Sequence, residues 1–274
     1  ILCLERGRHR KSNLTELHNN LRKTCYIRRE KEDVLPDLPP ITYNTIHATL
    51  DNKHKKQYNQ ALHDLQEWYK AQCEQLAIKE GRNPDAARIK AHFAAQNNET
   101  LIQLTALRQI TAHAKIQQAI EWINNANEQG LKIVIAAHHR DIVQTIANET
   151  GGLKIIGGQK PQETETAKHK FTTNPKHMNI TISITAAAHG HTLNAAHNML
   201  IIEPPWTPAH YQQTTARIHR IGQTQPVTIH NLIIPGTIDT HVHNTIQTKI
   251  HNTHKAITDK PDPTKLINAL TPLT

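Results

Sequence analysis

Arg217 and Arg220 stand three residues apart, and on a helix that spacing turns both side chains toward one side. Two such arginines are ordinarily solvated surface charge. An arginine brought in from a second lobe or partner can also stabilise the charge on a phosphoryl group in transfer. A second cluster is His138, His139 and Arg140, read from the residues alone as a helix entry on a solvated loop. Gly190 is the only glycine between Thr185 and His191. It lets the backbone come close to a nucleotide or phosphate, or serves an ordinary strand-to-loop turn. Ser183 and Thr185 offer hydroxyl and backbone contacts beside it. Histidine is abundant, at 21 residues, and includes the pairs His189/His191 and His241/His243. No cysteine or carboxylate set accompanies them at zinc spacing, so no metal site is expected.

The formal net charge of +9 and a pI near 9.5 point to a polyanionic partner, most simply nucleic acid. A basic protein without such a partner is the alternative. Cys3, Cys25 and Cys73 are far apart and odd in number, which suits free thiols in a reducing, intracellular compartment. No apolar run approaches the roughly 20 residues of a membrane span, and no signal peptide is visible. The charged start, Ile1 to Lys11, lacks an initiator Met and is read as the start of a fragment.

These residues need elements to position them. Leu14 to Asp33 reads as a basic helix, ended by Pro36, Pro39 and Pro40, which force an extended connection. Tyr58, Leu62, Leu65, Tyr69 and Leu76 make one apolar stripe, and Leu101, Leu104, Leu107 and Ile110 make another. Gly81 and Asn83-Pro84 supply a turn between them, giving a helical hairpin. After Ala114 helical segments alternate with apolar runs at Lys132–Ala137, Leu153–Ile156, Ile180–Ile184, Met199–Ile202 and Val227–Ile234. Such runs imply a mostly parallel sheet buried on both faces, an α/β fold. Ile238, Val242, Ile246 and Ile250 give the last helix a core-facing stripe, and a proline-bearing tail follows from Asp259. Open α/β sheets bind ligands at the carboxyl ends of their strands. That rule selects three loops: His138 to Arg140, Thr185 to His191, and Glu203 to Pro208.

Four segments in order resemble Swi/Snf-type DNA translocases. They are "IRREKEDVLPDLPP" (Ile27 to Pro40), "KIVIAAHHRD" (Lys132 to Asp141), "SITAAAHGHTLNAAHNMLIIEPPWTP" (Ser183 to Pro208) and "ARIHRIGQTQPVTIHNLIIPGTID" (Ala216 to Asp239). The wording is closest to the annealing-helicase branch and its phage and bacterial relatives. The resemblance implies a RecA-like second helicase lobe at 114–257. Before it come the end of a first lobe with its connector (1–40) and a helical protrusion (41–113), and 258–274 is a tail. It implies that Arg217 and Arg220 are arginine fingers, that Gly190 and Gln223 serve the nucleotide cleft, and that His138, His139, Arg140, Ser183 and Thr185 meet the backbone of duplex DNA. Trp206 is expected to pack its loop rather than stack on a base.

The chain also departs from the family. A Gln-x-Glu-Asp-Arg pattern reads here as Gln213, Thr214, Thr215, Ala216, Arg217, so both acids are missing. His191 replaces a leucine, and Gly157 to Phe171 lacks an expected arginine. The sequence has no Gly-x-x-x-x-Gly-Lys-Ser/Thr loop and no Asp-Glu-x-His box. ATP and Mg would therefore be held by a first lobe in the same or another chain, and no ATPase is expected from this chain alone. The alternative is a non-enzymatic DNA-binding module that kept the fold.

Overall fold

A computed structural model describes residues 35, 37–80, 97–187 and 192–253. The helix read over Leu14 to Asp33, the turn at Gly81 to Pro84, Gly190 and the tail lie outside the described residues. Six strands form one sheet: β1 (Ile41–His47), β2 (Ile133–Ala137), β3 (Leu153–Ile155), β4 (Asn179–Ser183), β5 (Asn198–Ile201) and β6 (Val227–Ile233). Their order is β1-β6-β5-β2-β4-β3, and every neighbouring pair is parallel. Five strands fall on the apolar runs. The sixth, β1, lies in the stretch assigned to the helical protrusion. It pairs with β6 in register from Ile41↔Val227 to His47↔Ile233 and leaves most of its side chains exposed.

The helices are α1 (Asn52–Glu80), α2 (Asn97–Glu128), α3 (Arg140–Glu149), α4 (Pro161–Thr173), α5 (Ile184–Ala187), α6 (Pro208–Thr215) and α7 (Ile238–Thr253). Strand alternation divides the core in two. Val134, Ala136, Ile180, Ile182, Met199, Ile201, Val227 and Ile229 meet α1, α4, α6 and α7 on one face. Ile133, Ile135, Ala137, Leu200, Ile202 and Leu232 meet α2 and α3 on the other. β2 is fully buried, as a strand covered on both faces must be.

α2 joins the two layers. Leu104 and Leu107 enter the first core cluster, and Ala112, Ala119 and Ile123 the second. The boundary at 113/114 falls inside this continuous helix, so the hairpin and the sheet share a strut. Between its apolar stretches, Arg108, Thr111 and Lys115 recur at spacings that keep them on one side. All three are buried. Lys115 Nζ donates to the carbonyls of Ile202 and Leu232 and pairs with Asp239 Oδ2 at 2.6 Å. Thr111 Oγ1 donates to Asp239 Oδ1 at 3.0 Å. This polar knot fastens α2 across the carboxyl ends of β5 and β6 and onto the start of α7.

Candidate functional site

The carboxyl ends of β2, β4 and β5 carry three loops, and they are wired together. Glu203, just past β5, is 1 % exposed. Its Oε2 accepts the backbone N–H groups of His138 (2.8 Å) and His139 (2.9 Å), and Oε1 lies 2.5 Å from His139 Nδ1. A carboxylate at the head of α3 also suits that helix's positive end. Arg108 donates to the carbonyl of Pro204 at 2.7 Å and stacks over Trp206, 4.3 Å from the ring centroid. Trp206 is thus committed to packing. His138 and His139 are half-buried, while Arg140 is exposed and free to meet solvent-borne oxygens. At the end of β4 Ser183 is buried, and just past it Thr185 is exposed, with their hydroxyls 2.7 Å apart. The loop there begins as the single helical turn α5. Glu203 and Arg108 escaped sequence reasoning. Their signals were a carboxylate directly after a buried strand and an arginine inside an apolar stripe.

Two titratable groups of these loops, Glu203 and His138, are strongly shifted. Burial raises the Glu203 carboxyl, but the hydrogen bond from His139, the Arg108 charge and the backbone donors outweigh it and hold it at about 2. Burial, then the nearby Arg108, pulls His138 down to about 4. Both folded values lie below the unfolded ones, so in each interval the unfolded chain binds more protons and stability falls with acid. The His138 contribution is present above about 6.5 and lost toward about 4, and the Glu203 contribution is lost between about 4.5 and 2. Urea unfolding from pH 7 to about pH 2 should show this loss, and Glu203→Gln should remove the lower step. A flat profile across both intervals would show that these groups are not shifted.

The arginines lie elsewhere. α6 ends at Thr215, and residues 216–220 form turns leading toward β6. Arg217 and Arg220 therefore sit on a turn rather than a continuous helix, at the amino ends of β5 and β6. Long-range contacts override helix continuation here. The Arg217 carbonyl accepts Leu193 N–H at 2.9 Å, and Gly222 reverses the chain at φ +92°. A Cβ on Gly222 would come within 2.9 Å of Asn194 Nδ2. Gln223 is buried, and its amide donates to the carbonyls of Asn194, Ala196 and Ile218 while its oxygen accepts from Thr224 and Gln225 N–H. Its side chain braces the turn.

Arg217 is 8 % exposed, and its Nε has no partner among the described residues. Burial, then the charge of Arg220, lowers its pKa. Arg220 is exposed and its Nη1 donates to Thr192 Oγ1 at 3.2 Å. The hydroxyls of Thr214 and Thr215, which stand near the missing acids, bond back to His210 and Gln212 carbonyls. Two neighbouring guanidiniums, one exposed and one largely desolvated, concentrate positive charge on this turn.

Residues 114–222 match the model of the helicase conserved C-terminal domain. The chain is 32% identical over 236 residues to the DNA annealing helicase and endonuclease ZRANB3 of Homo sapiens, covering 84% of this chain and 20% of that protein. It is 32% identical over 237 residues to the SWI/SNF-related matrix-associated actin-dependent regulator of chromatin subfamily A-like protein 1 of Xenopus tropicalis, covering 84% of this chain and 23% of that protein. The chain is a Swi/Snf-type helicase C-terminal lobe. It spans about a fifth of the length of these curated relatives. The fold of the lobe matches the Sulfolobus solfataricus SWI2/SNF2 ATPase core in complex with dsDNA (TM-score 0.64, 22% identity, 95% of this chain, 56% of that chain). It also matches the C-terminal domain of the Sulfolobus solfataricus SWI2/SNF2 ATPase (TM-score 0.60, 18% identity, 85% of this chain, 99% of that chain). Among the described residues of the lobe, no helix is long and apolar enough to cross a membrane, and no three His, Cys, Asp or Glu side chains gather as a metal site.

Proposed function

We propose that this lobe is the second half of an ATP-dependent motor on duplex DNA, presenting Arg217 and Arg220 to a nucleotide held by a first lobe. The observation that carries the reading is the pair of neighbouring guanidiniums, largely buried Arg217 and exposed Arg220, on a turn braced by Gln223. An incoming phosphoryl group would come beside two neighbouring guanidiniums on one turn, so its developing negative charge would be met by two fixed positive ones. ATP supplies the transferring phosphoryl group, and its Mg ligands are assigned to the first lobe. Gln223 contributes by holding the turn, and Gly190 remains a proposed point of close approach.

DNA would lie along the carboxyl-end loops, away from the arginine turn. Arg140 is the strongest phosphate contact there, with His138, His139 and Thr185 around it, while Ser183 is buried beneath and meets the Thr185 hydroxyl rather than DNA. A relative named as a DNA annealing helicase and a solved neighbour described in complex with dsDNA support duplex DNA as the track. Binding by this chain should be weak and independent of sequence. Affinity measured against salt should follow a straight log–log line, each phosphate contact contributing a slope of about −0.9. Arg140→Ala should flatten that line by about one contact. Salt-independent binding, or preference for one base sequence, would remove DNA tracking from the account.

The missing acids at Thr215 and Ala216 favour a second reading, a module that kept the fold and its DNA contacts but lost the chemistry. Restoring Glu at 215 and Asp at 216 separates the two: a degenerate copy, paired with a first lobe, is inactive with both arginines intact and becomes active only with the acids.

A further inference from the structure

The arginine turn is tied to the segment that precedes the sheet, through a residue with no role so far. His219 lies between the two arginines and is 8 % exposed. Its Nε2 is 2.8 Å from the carbonyl oxygen of Pro39, a residue 180 positions earlier in the chain. The neighbouring Pro40 carbonyl accepts the N–H of Val227 at 2.9 Å. The two prolines are thus held at both ends of the turn, by His219 near its start and Val227 at its exit. Proline fixes its own φ, and the residue before a proline is biased to extended backbone, so this segment is stiff. From Ile41 onward it becomes β1 and is locked to β6. The Pro39 carbonyl lies outside any helix or strand, and the imidazole N–H supplies it a donor from the far side of the chain. The imidazole therefore joins the stretch that enters the lobe to the stretch that carries both guanidiniums.

We propose that His219 is a positioning residue that clamps the inter-lobe connector to the arginine turn, so that the approach of Arg217 and Arg220 to the nucleotide is set by the path of the connector. The proposal rests on reading Ile27 to Pro40 as the connector from a first lobe. With the clamp in place, a swing of the first lobe about Pro39–Pro40 moves against a turn of fixed position. Without it, the connector can shift relative to the turn while each lobe stays folded, because Gln223 and Gly222 still brace the turn and β1 still pairs with β6. The reacting groups would then meet in a range of geometries, and misplacement by about 1 Å costs up to roughly 100-fold in rate.

The test uses the complete two-lobe protein. His219→Ala should lower DNA-stimulated kcat by roughly 10- to 100-fold while KM for ATP and affinity for duplex DNA change by less than about twofold. His219→Gln, which can place an N–H near the position of Nε2, should recover most of the lost rate. Fluorophore pairs across the lobes should give a narrow distance distribution with a bound ATP analogue in the parent and in His219→Gln, and a broad one in His219→Ala. Equal rates and equal distributions in Ala and Gln variants would overturn the clamp. So would a His219→Ala protein whose loss of rate is matched by loss of thermal stability and is not recovered by Gln. If the parent hydrolyses no ATP, the motor reading fails. The distance distributions still decide the clamp, which stands if only Ala broadens them and falls if it does not.

Discussion

Arg220→Ala in the completed motor is expected to lower ATP turnover by roughly 10³ or more, the loss typical of arginines that act on transition-state charge. Its effect on duplex DNA affinity should be small, because the turn lies at the amino ends of β5 and β6 while the loops proposed to meet DNA lie at the carboxyl ends. Arg220 is exposed, and its Nη1 donates to Thr192 Oγ1 among its contacts. Arg217→Ala should act in the same direction but more mildly, since no acid at 215 or 216 orients that guanidinium. Turnover and DNA affinity measured on the same preparations decide the point. An unchanged rate in Arg220→Ala removes the finger assignment.

The second large effect concerns the knot that fastens α2. Lys115 is fully buried and meets Asp239, itself 2 % exposed, together with two strand-end carbonyls. Removing one partner of a buried pair leaves the other charged and unsatisfied, at a cost of about 3–5 kcal/mol. Lys115→Met should therefore destabilise the lobe by about that amount in urea unfolding. Asp239→Asn should also destabilise it, and the double variant should lose clearly less than the sum of the singles. Strict additivity, or a loss below about 1 kcal/mol in Lys115→Met, would show that the knot contributes little to holding the hairpin on the sheet.

The buried strands were legible because buried parallel strands are continuous β-branched runs. Val227–Ile233 and Ile133–Ala137 each lie within one residue of the runs read from sequence. β1 was not legible in that way. Its residues, ITYNTIH, alternate weakly, and only an edge strand exposed along most of its length tolerates that pattern. The loops at the carboxyl strand ends followed from topology alone, but the residues that fix them did not. Glu203 and Arg108 look like surface residues in a sequence, and only the folded chain brings their charges together with His139. The arginine turn shows the same limit. The helical spacing of Arg217 and Arg220 was visible, whereas the long-range bonds from Leu193, Gln223 and His219 that turn the chain out of a helix were not.

The central claim is that this lobe completes a catalytic site it does not itself contain. The direct measurement is phosphate release from ATP by this chain alone, by a first lobe alone, and by the two together, each with and without duplex DNA. Turnover should appear only when both lobes, ATP, Mg and DNA are present. Two results contradict the account. One is hydrolysis by this chain alone. The other is a folded, DNA-bound pair that stays inactive with both arginines intact and becomes active only when Thr215→Glu and Ala216→Asp restore the acids.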